Sequence, residues 1–201
     1  MPHRTRPTTP DEALTRLLDG NRRFVDRAPQ APVHSAERIK LASGQNPFAV
    51  ILGCSDSRVP IETIFDQQPG DLFVVRIAGN FVNDDGLASI EYAVDVLNCE
   101  LLVVLGHRGC GAVQAALQHI ELGTQFHGHI QRLADAIEPA ALRARAREGD
   151  WWENAVTQNV RESVASALDR SDILRRVSEQ GTLRAVGSVY DLHTGRVTIV
   201  E

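Results

Sequence analysis

The sequence predicts an α/β fold: a mostly parallel central sheet flanked by helices, with an antiparallel C-terminal strand and an N-terminal helical arm. Three observations predict it. Short apolar runs rich in branched residues recur at Phe48–Leu52, Leu72–Val75 and Leu101–Leu105, as in strands covered on both faces. Segments with helical spacing separate these runs, and strands alternating with helices point to a parallel sheet. The chain then closes on two extended runs, Leu183–Asp191 and Arg196–Val200, joined by the turn His193-Thr194-Gly195.

Each element has a local reason. Thr9 is placed to cap a helix that Pro10 opens, and Leu14, Leu17, Leu18, Phe24 and Val25 form its apolar stripe as far as about Asp26. A helix that precedes every strand needs a surface, so residues 1–43 are expected to form an arm that packs on a partner subunit. A second short helix is expected over Ala36–Ala42. The first strand ends at Gly53-Cys54, the second near Arg76 and the third at Gly106-His107. Leu87–Leu97 reads as a helix with Asn83 or Asp84 as cap, and Gly111–Leu122 as another. Gln131–Arg175 is helical and rich in Ala, Arg and Glu, with Pro139 and Gly149 expected to punctuate it. No repeat, low-complexity stretch or long linker divides the chain, so residues 1–201 are expected to form a single domain.

Composition narrows the function classes. The 201 residues suffice for one sizeable core, and a hydrophobic share of 43% is ordinary. A net charge of -5 argues against nucleic acid as a partner held by bulk electrostatics. No apolar run approaches the roughly 20 residues that span a bilayer, so no membrane role is expected. The polar stretch Met1–Pro10 has no apolar core of a secretory signal, and a cytoplasmic location is the expectation. There the three cysteines stay reduced, which favours metal binding or catalysis over disulfides. Cys99, just before an apolar run, reads as a small buried hydrophobe.

Chemistry concentrates in two clusters, Cys54-Ser55-Asp56-Ser57-Arg58 and His107-Arg108-Gly109-Cys110. Two thiols and an imidazole suit zinc, and three protein ligands leave the fourth position open, the catalytic pattern. His107 and Cys110 lie three residues apart across a Gly109 turn that enters a helix, so both can face one ion. The helix N-terminus favours Cys110 as a thiolate. Asp56 and Arg58 can pair on a turn, which keeps Asp56 ionised, oriented and off the metal. There it could accept a hydrogen bond from a water acidified by the ion. Released from Arg58, it could become the fourth ligand and close the site. Both clusters fall at the C-terminal ends of predicted strands, where open α/β sheets bind ligands.

These paired motifs resemble the signature of the β-class carbonic anhydrases of bacteria. The similarity extends through Gly70-Asp71-Leu72-Phe73-Val74-Val75-Arg76 and Ser89-Ile90-Glu91-Tyr92-Ala93-Val94, and more weakly through Trp151-Trp152-Glu153-Asn154 and Val186-Gly187-Ser188-Val189-Tyr190. The resemblance implies zinc-dependent reversible hydration of carbon dioxide to bicarbonate and a proton, one Zn(2+) per subunit, and a homodimer or dimer of dimers with the site at the interface. It makes Cys54, His107 and Cys110 the metal ligands and Asp56 and Arg58 the catalytic pair. By their offsets, Gln45, Phe73 and Tyr92 match the substrate pocket: Gln45 as a donor to a substrate oxygen, Phe73 as an apolar wall, Tyr92 as lining near the metal. Ala78 stands where some members carry a larger aliphatic residue. A regulated branch has a Trp where this chain has Ile51, in a bicarbonate site whose other members match Arg76 and Tyr190. The expectation is therefore an open, unregulated site.

Other readings are weighed against this one. Hydrolysis of carbonyl sulfide or carbon disulfide would use the same zinc site, and a bicarbonate sensor would keep the zinc without turnover. A phosphatase or sulfurtransferase with Cys54 as nucleophile needs a phosphate-cradling loop, where Asp56 would repel the anion. His127 and His129 suggest a second metal site, but no neighbouring Cys or acid completes it. His3, His34, His119 and His193 receive no role, and Trp151 and Trp152 read as packing or interface residues.

Overall fold

The computed structural model describes residues 6–28 and 41–200. Five strands form one sheet in the order β2-β1-β3-β4-β5: β1 (Ala49–Gly53), β2 (Leu72–Arg76), β3 (Leu101–His107), β4 (Arg184–Tyr190) and β5 (Val197–Val200). The first four are mutually parallel, and β5 returns antiparallel to β4. The fold class read from sequence is the one observed.

Helices cover both faces, and the strand residues sort between them with a period of two. Ile51, Val103, Leu105 and Val186 pack towards α1 (Pro10–Val25) and α2 (Ile61–Ile64). Val50, Leu52, Leu102 and Val104 face the other way, towards α3 (Asp84–Glu91), α6 (Trp151–Arg170) and α7 (Asp172–Glu179). A third apolar cluster joins α4 (Gly111–Leu122), α5 (Gln131–Ala144) and α6 around Cys54 and Cys110. Burial on both faces explains why these strands read as continuous apolar runs rather than alternating ones.

The helix caps follow the sequence. Thr9 Oγ1 accepts from Glu12 N at 3.2 Å, Asn83 from Gly86 N at 2.8 Å, and Asp150 from Glu153 N at 2.8 Å. Two helical segments differ from expectation. The helix predicted over 87–97 widens after Glu91 into a π turn, Tyr92–Val96, in which Leu97 N donates to Tyr92 O at 3.2 Å. Pro139 does not interrupt α5. Ala134, Ile137, Ala140, Ala141 and Ala144 bury one face of that helix on both sides of the proline, outweighing the one hydrogen bond it forgoes. Gly149, at φ 100°, does mark the break before α6.

Within the chain, α1 seats on the sheet. Ala13, Leu14 and Leu17 are buried in the core, and Asn21 Nδ2 donates to Ile64 O and Gly195 O. Gly20 is required there, because a Cβ would stand 1.8 Å from Phe65 O. The helix predicted over 36–42 lies almost wholly outside the described residues.

One topological fact positions the site. The chain runs from β1 outward to β2, then returns to β3 on the other side of β1. Connections diverge at the C-terminal ends of β1 and β3, leaving a crevice there. Gly53 pairs with Leu105 in register, so Cys54 and His107 leave adjacent strands at that crevice.

Candidate metal centre

Cys54, His107 and Cys110 are all buried, and their ligand atoms lie within 4.8 Å of one another. The two Sγ atoms are 4.0 Å apart. Two Zn–S bonds of about 2.3 Å at a tetrahedral angle place sulfurs roughly 3.8 Å apart, so the pair needs almost no adjustment to take zinc. His107 is fully buried, and its Nδ1 lies 3.0 Å from Arg108 O. A carbonyl only accepts, so Nδ1 carries the proton and Nε2 is the lone-pair nitrogen of the neutral ring. That Nε2 is buried with no hydrogen-bond partner, an arrangement that a metal resolves.

The thiols favour an anion even without an ion. Cys54 is drawn well below the ordinary thiol range, first because Cys110 hydrogen-bonds to its sulfur, with the His107 ring and Gly79 N–H assisting against burial. Cys110 is pushed up by the same pairing and by desolvation, so the two sulfurs share one proton. A divalent cation held by the two sulfurs would displace that proton. Cys110 is the cap residue of α4, and its sulfur makes no capping bond to that helix. Ala112 and Val113 N–H favour its thiolate.

Asp56 and Arg58 sit at the rim. Asp56 Oδ1 accepts from Arg58 N and Nε, each at 2.9 Å, and Oδ2 accepts from Arg58 Nη2 at 2.7 Å. This two-pronged pair holds the Asp56 carboxyl far below the usual carboxylate range. Asp56 Oδ2 also lies 3.8 Å from His107 Nε2, facing the ligand cluster. The guanidinium reaches on to Gly109 O at 3.3 Å and thereby ties the two motifs together.

Supporting roles are not read from the sequence, although Arg76 and Trp152 are noted there for other reasons. Arg76 donates to Cys54 O at 3.0 Å and Asp56 O at 2.7 Å, fixing the loop between them. Trp152 Nε1 donates to Cys110 O at 3.1 Å, and Asn159 Nδ2 to Gly79 O at 2.8 Å. Phe81, Ala112 and Val189 pack against the cysteine cluster. Apart from Ala112, two residues past Cys110, these residues stand far from Cys54 and Cys110 in sequence, and only contact across the fold shows their roles.

Gln45, Phe73 and Tyr92 are not grouped with the ligands inside one chain. Phe73 pairs with Val50 in register, four residues up the strand from Cys54, or roughly 13 Å at the usual rise per residue. Its ring lies 6.1 Å from that of Tyr92, which is exposed. Gln45 is exposed and precedes β1, at the opposite end of that strand from Cys54. Cys99 is buried, as expected of a small apolar residue.

Comparison with known proteins places this geometry. The family model described as "Carbonic anhydrase" matches residues 49–197. The chain is 44% identical over 193 residues to "Carbonic anhydrase 2" of Mycobacterium tuberculosis, covering 96% of this chain and 93% of that one. It is 34% identical over 193 residues to "Carbonic anhydrase" of Pseudomonas aeruginosa, covering 92% and 86%. Among solved structures it superposes on the β-carbonic anhydrase CcaA with a TM-score of 0.71 at 28% identity, covering 94% and 95%. The Coccomyxa β-carbonic anhydrase in complex with acetazolamide gives a TM-score of 0.70 at 29% identity, covering 92% and 85%. A tetrameric β-carbonic anhydrase from Sordaria macrospora gives 0.72 at 29%, covering 81% and 84%. With a family match over most of its length and a two-cysteine, one-histidine centre between β1 and β3, the chain belongs to the β-class carbonic anhydrases.

Proposed function

We propose that the chain catalyses reversible hydration of carbon dioxide to bicarbonate and a proton, with one zinc ion per subunit on Cys54, His107 and Cys110. The observation that carries this reading is an ionised carboxylate pinned beside an unpartnered, buried imidazole nitrogen. When bound, zinc supplies Lewis acidity that brings deprotonation of water towards neutral pH, as in carbonic anhydrases generally.

The chain's own residues do the rest. Asp56 keeps acceptor capacity on Oδ2, so it can take a hydrogen bond from water in the crevice and aim the water's remaining lone pair outward. Because Arg58 holds it ionised, Asp56 stays an acceptor throughout the working range of pH. Phe81, Ala112 and Val189 give the cluster apolar surroundings suited to a nonpolar gas. Arg58 is committed to Asp56 and Gly109 O, so it is not free to cradle a phosphate beside a nucleophilic Cys54.

Gln45, Phe73 and Tyr92 lie away from their own chain's cluster, so a substrate role for them requires a second copy that brings them to it. This favours a homodimer or dimer of dimers, and the tetrameric Sordaria relative supports assembly. Among the described residues no helix is long and apolar enough to cross a membrane. A cytoplasmic compartment would keep Cys54 and Cys110 reduced, as the site requires.

Stopped-flow measurement of carbon dioxide hydration on protein of known zinc content tests the proposal. Turnover should rise in proportion to bound zinc and vanish on chelation. Activity that survives zinc removal would sink it. Regulation by bicarbonate is not expected. Ile51 is fully buried and Tyr190 is buried, both in the same core cluster, and Arg76 already donates to Cys54 O and Asp56 O. Bicarbonate should therefore inhibit hyperbolically, as a simple product, and a sigmoidal dose response would show a regulatory site.

A further inference from the structure

We propose that His119, Asp135 and Glu138 form a second divalent-cation site, separate from the cysteine cluster, that ties α4 to α5. Their ligand atoms lie within 4.8 Å of one another, against roughly 3–3.4 Å across the coordination sphere of a zinc-sized ion, so small side-chain rotations close it. The three come from two packed helices. His119 lies in the last turn of α4, the helix that starts at Cys110, while Asp135 and Glu138 are three residues apart on α5 and share a face.

The imidazole is already set for a metal. His119 Nδ1 lies 2.7 Å from Thr124 O, so the ring donates there and presents Nε2 as its lone-pair nitrogen. Asp135 is oriented independently. Gln131 Nε2 donates to Asp135 Oδ1 at 2.7 Å, and Gln131 Oε1 in turn accepts from Phe126 N at 2.8 Å. The loop between α4 and α5 thus positions a ligand on each helix. Two carboxylates neutralise a divalent ion, and one imidazole with two carboxylates suits Zn(2+), Co(2+) or Ni(2+) rather than a thiolate-seeking metal. His119 and Glu138 are half-buried and Asp135 is exposed, so water can complete the sphere.

Sequence spacing hid this cluster because the acids stand well downstream of the histidine. His127 and His129, the more obvious pair, are both exposed in the intervening loop.

Cobalt titration of the zinc-loaded enzyme tests the site. One further Co(2+) per chain should bind, with the weak visible bands of nitrogen and oxygen ligation and no thiolate charge-transfer band. The unfolding temperature should rise with cobalt. His119→Asn and Asp135→Asn should each weaken cobalt uptake by at least about tenfold and abolish that rise, leaving zinc content and carbon dioxide hydration unchanged. No uptake by the parent enzyme would overturn the proposal. So would uptake that persists in both variants, or that is lost only in a His127→Asn/His129→Asn double variant.

Discussion

Cys110→Ser is expected to strip the zinc and nearly all carbon dioxide hydration while leaving the fold intact. A hydroxyl is a harder, far less acidic ligand than a thiol, so the centre would keep one thiolate and one imidazole. Loss of even an outer-shell partner of a metal site typically costs 10–100-fold, so loss of a direct ligand should exceed about 100-fold in kcat/KM. Stability should not follow. Cys110 occupies the cap position of α4 at φ -67° and ψ 118°, and its side chain makes no capping bond. Serine is among the preferred residues there and can cap the first turn. Its volume is close to that of cysteine, in a site where Cys110 is only 1% exposed. Metal analysis, stopped-flow kinetics and thermal unfolding on one preparation separate the effects. Zinc below about a tenth of the parent content, with an unfolding temperature close to that of the equally metal-free parent, is the expected combination. Full zinc with full turnover would remove Cys110 from the ligand set.

Much of this centre was legible in the chain because its ligands obey local rules. Each of the two motifs ends a strand, and strands buried on both faces announce themselves as short apolar runs. Thr9 and Asn83 cap their helices by side-chain bonds to residues three positions on, which a sequence displays directly. What sequence could not display depends on partners distant along the chain. Arg76 bonds two carbonyls of the Cys54 loop, and Trp152 bonds the carbonyl of Cys110, forty-two residues away. The π turn at Tyr92–Val96 has no signature in its residue types, since it reflects how the end of α3 is carried into β3. Pro139 misled for a related reason: local propensity argued for a break, and the buried alanine face of α5 overrode it. The placement of α1 turned on Gly20 and Asn21, whose partners Phe65, Ile64 and Gly195 are brought near only by folding.

Changing the rim pair should separate chemistry from metal binding. Asp56→Asn is expected to keep the zinc and lower kcat/KM by about 10²–10⁴-fold, the usual worth of a positioned proton acceptor. The amide preserves the shape but not the charge. Arg58→Ala should act differently, because it frees Asp56 without removing it. The sign of the pH effect follows from the pair. Asp56 has a folded pKa depressed by Arg58, so the stabilisation is present above the unfolded value of about 3.9 and disappears as pH falls through the folded value. Deleting Arg58 returns Asp56 towards its ordinary range, and the acid limb of the stability profile should shift to higher pH. At neutral pH the released carboxylate remains ionised, with Oδ2 3.8 Å from His107 Nε2, close enough to swing onto the metal as a fourth ligand. X-ray absorption of the zinc form should then show an added oxygen ligand from Asp56, and turnover should fall with it. Arg58→Lys should be intermediate, since an ammonium cannot reproduce the two-pronged contact. An Arg58→Ala enzyme with parental activity and no carboxylate on the zinc would show that Arg58 does not hold Asp56 off the metal.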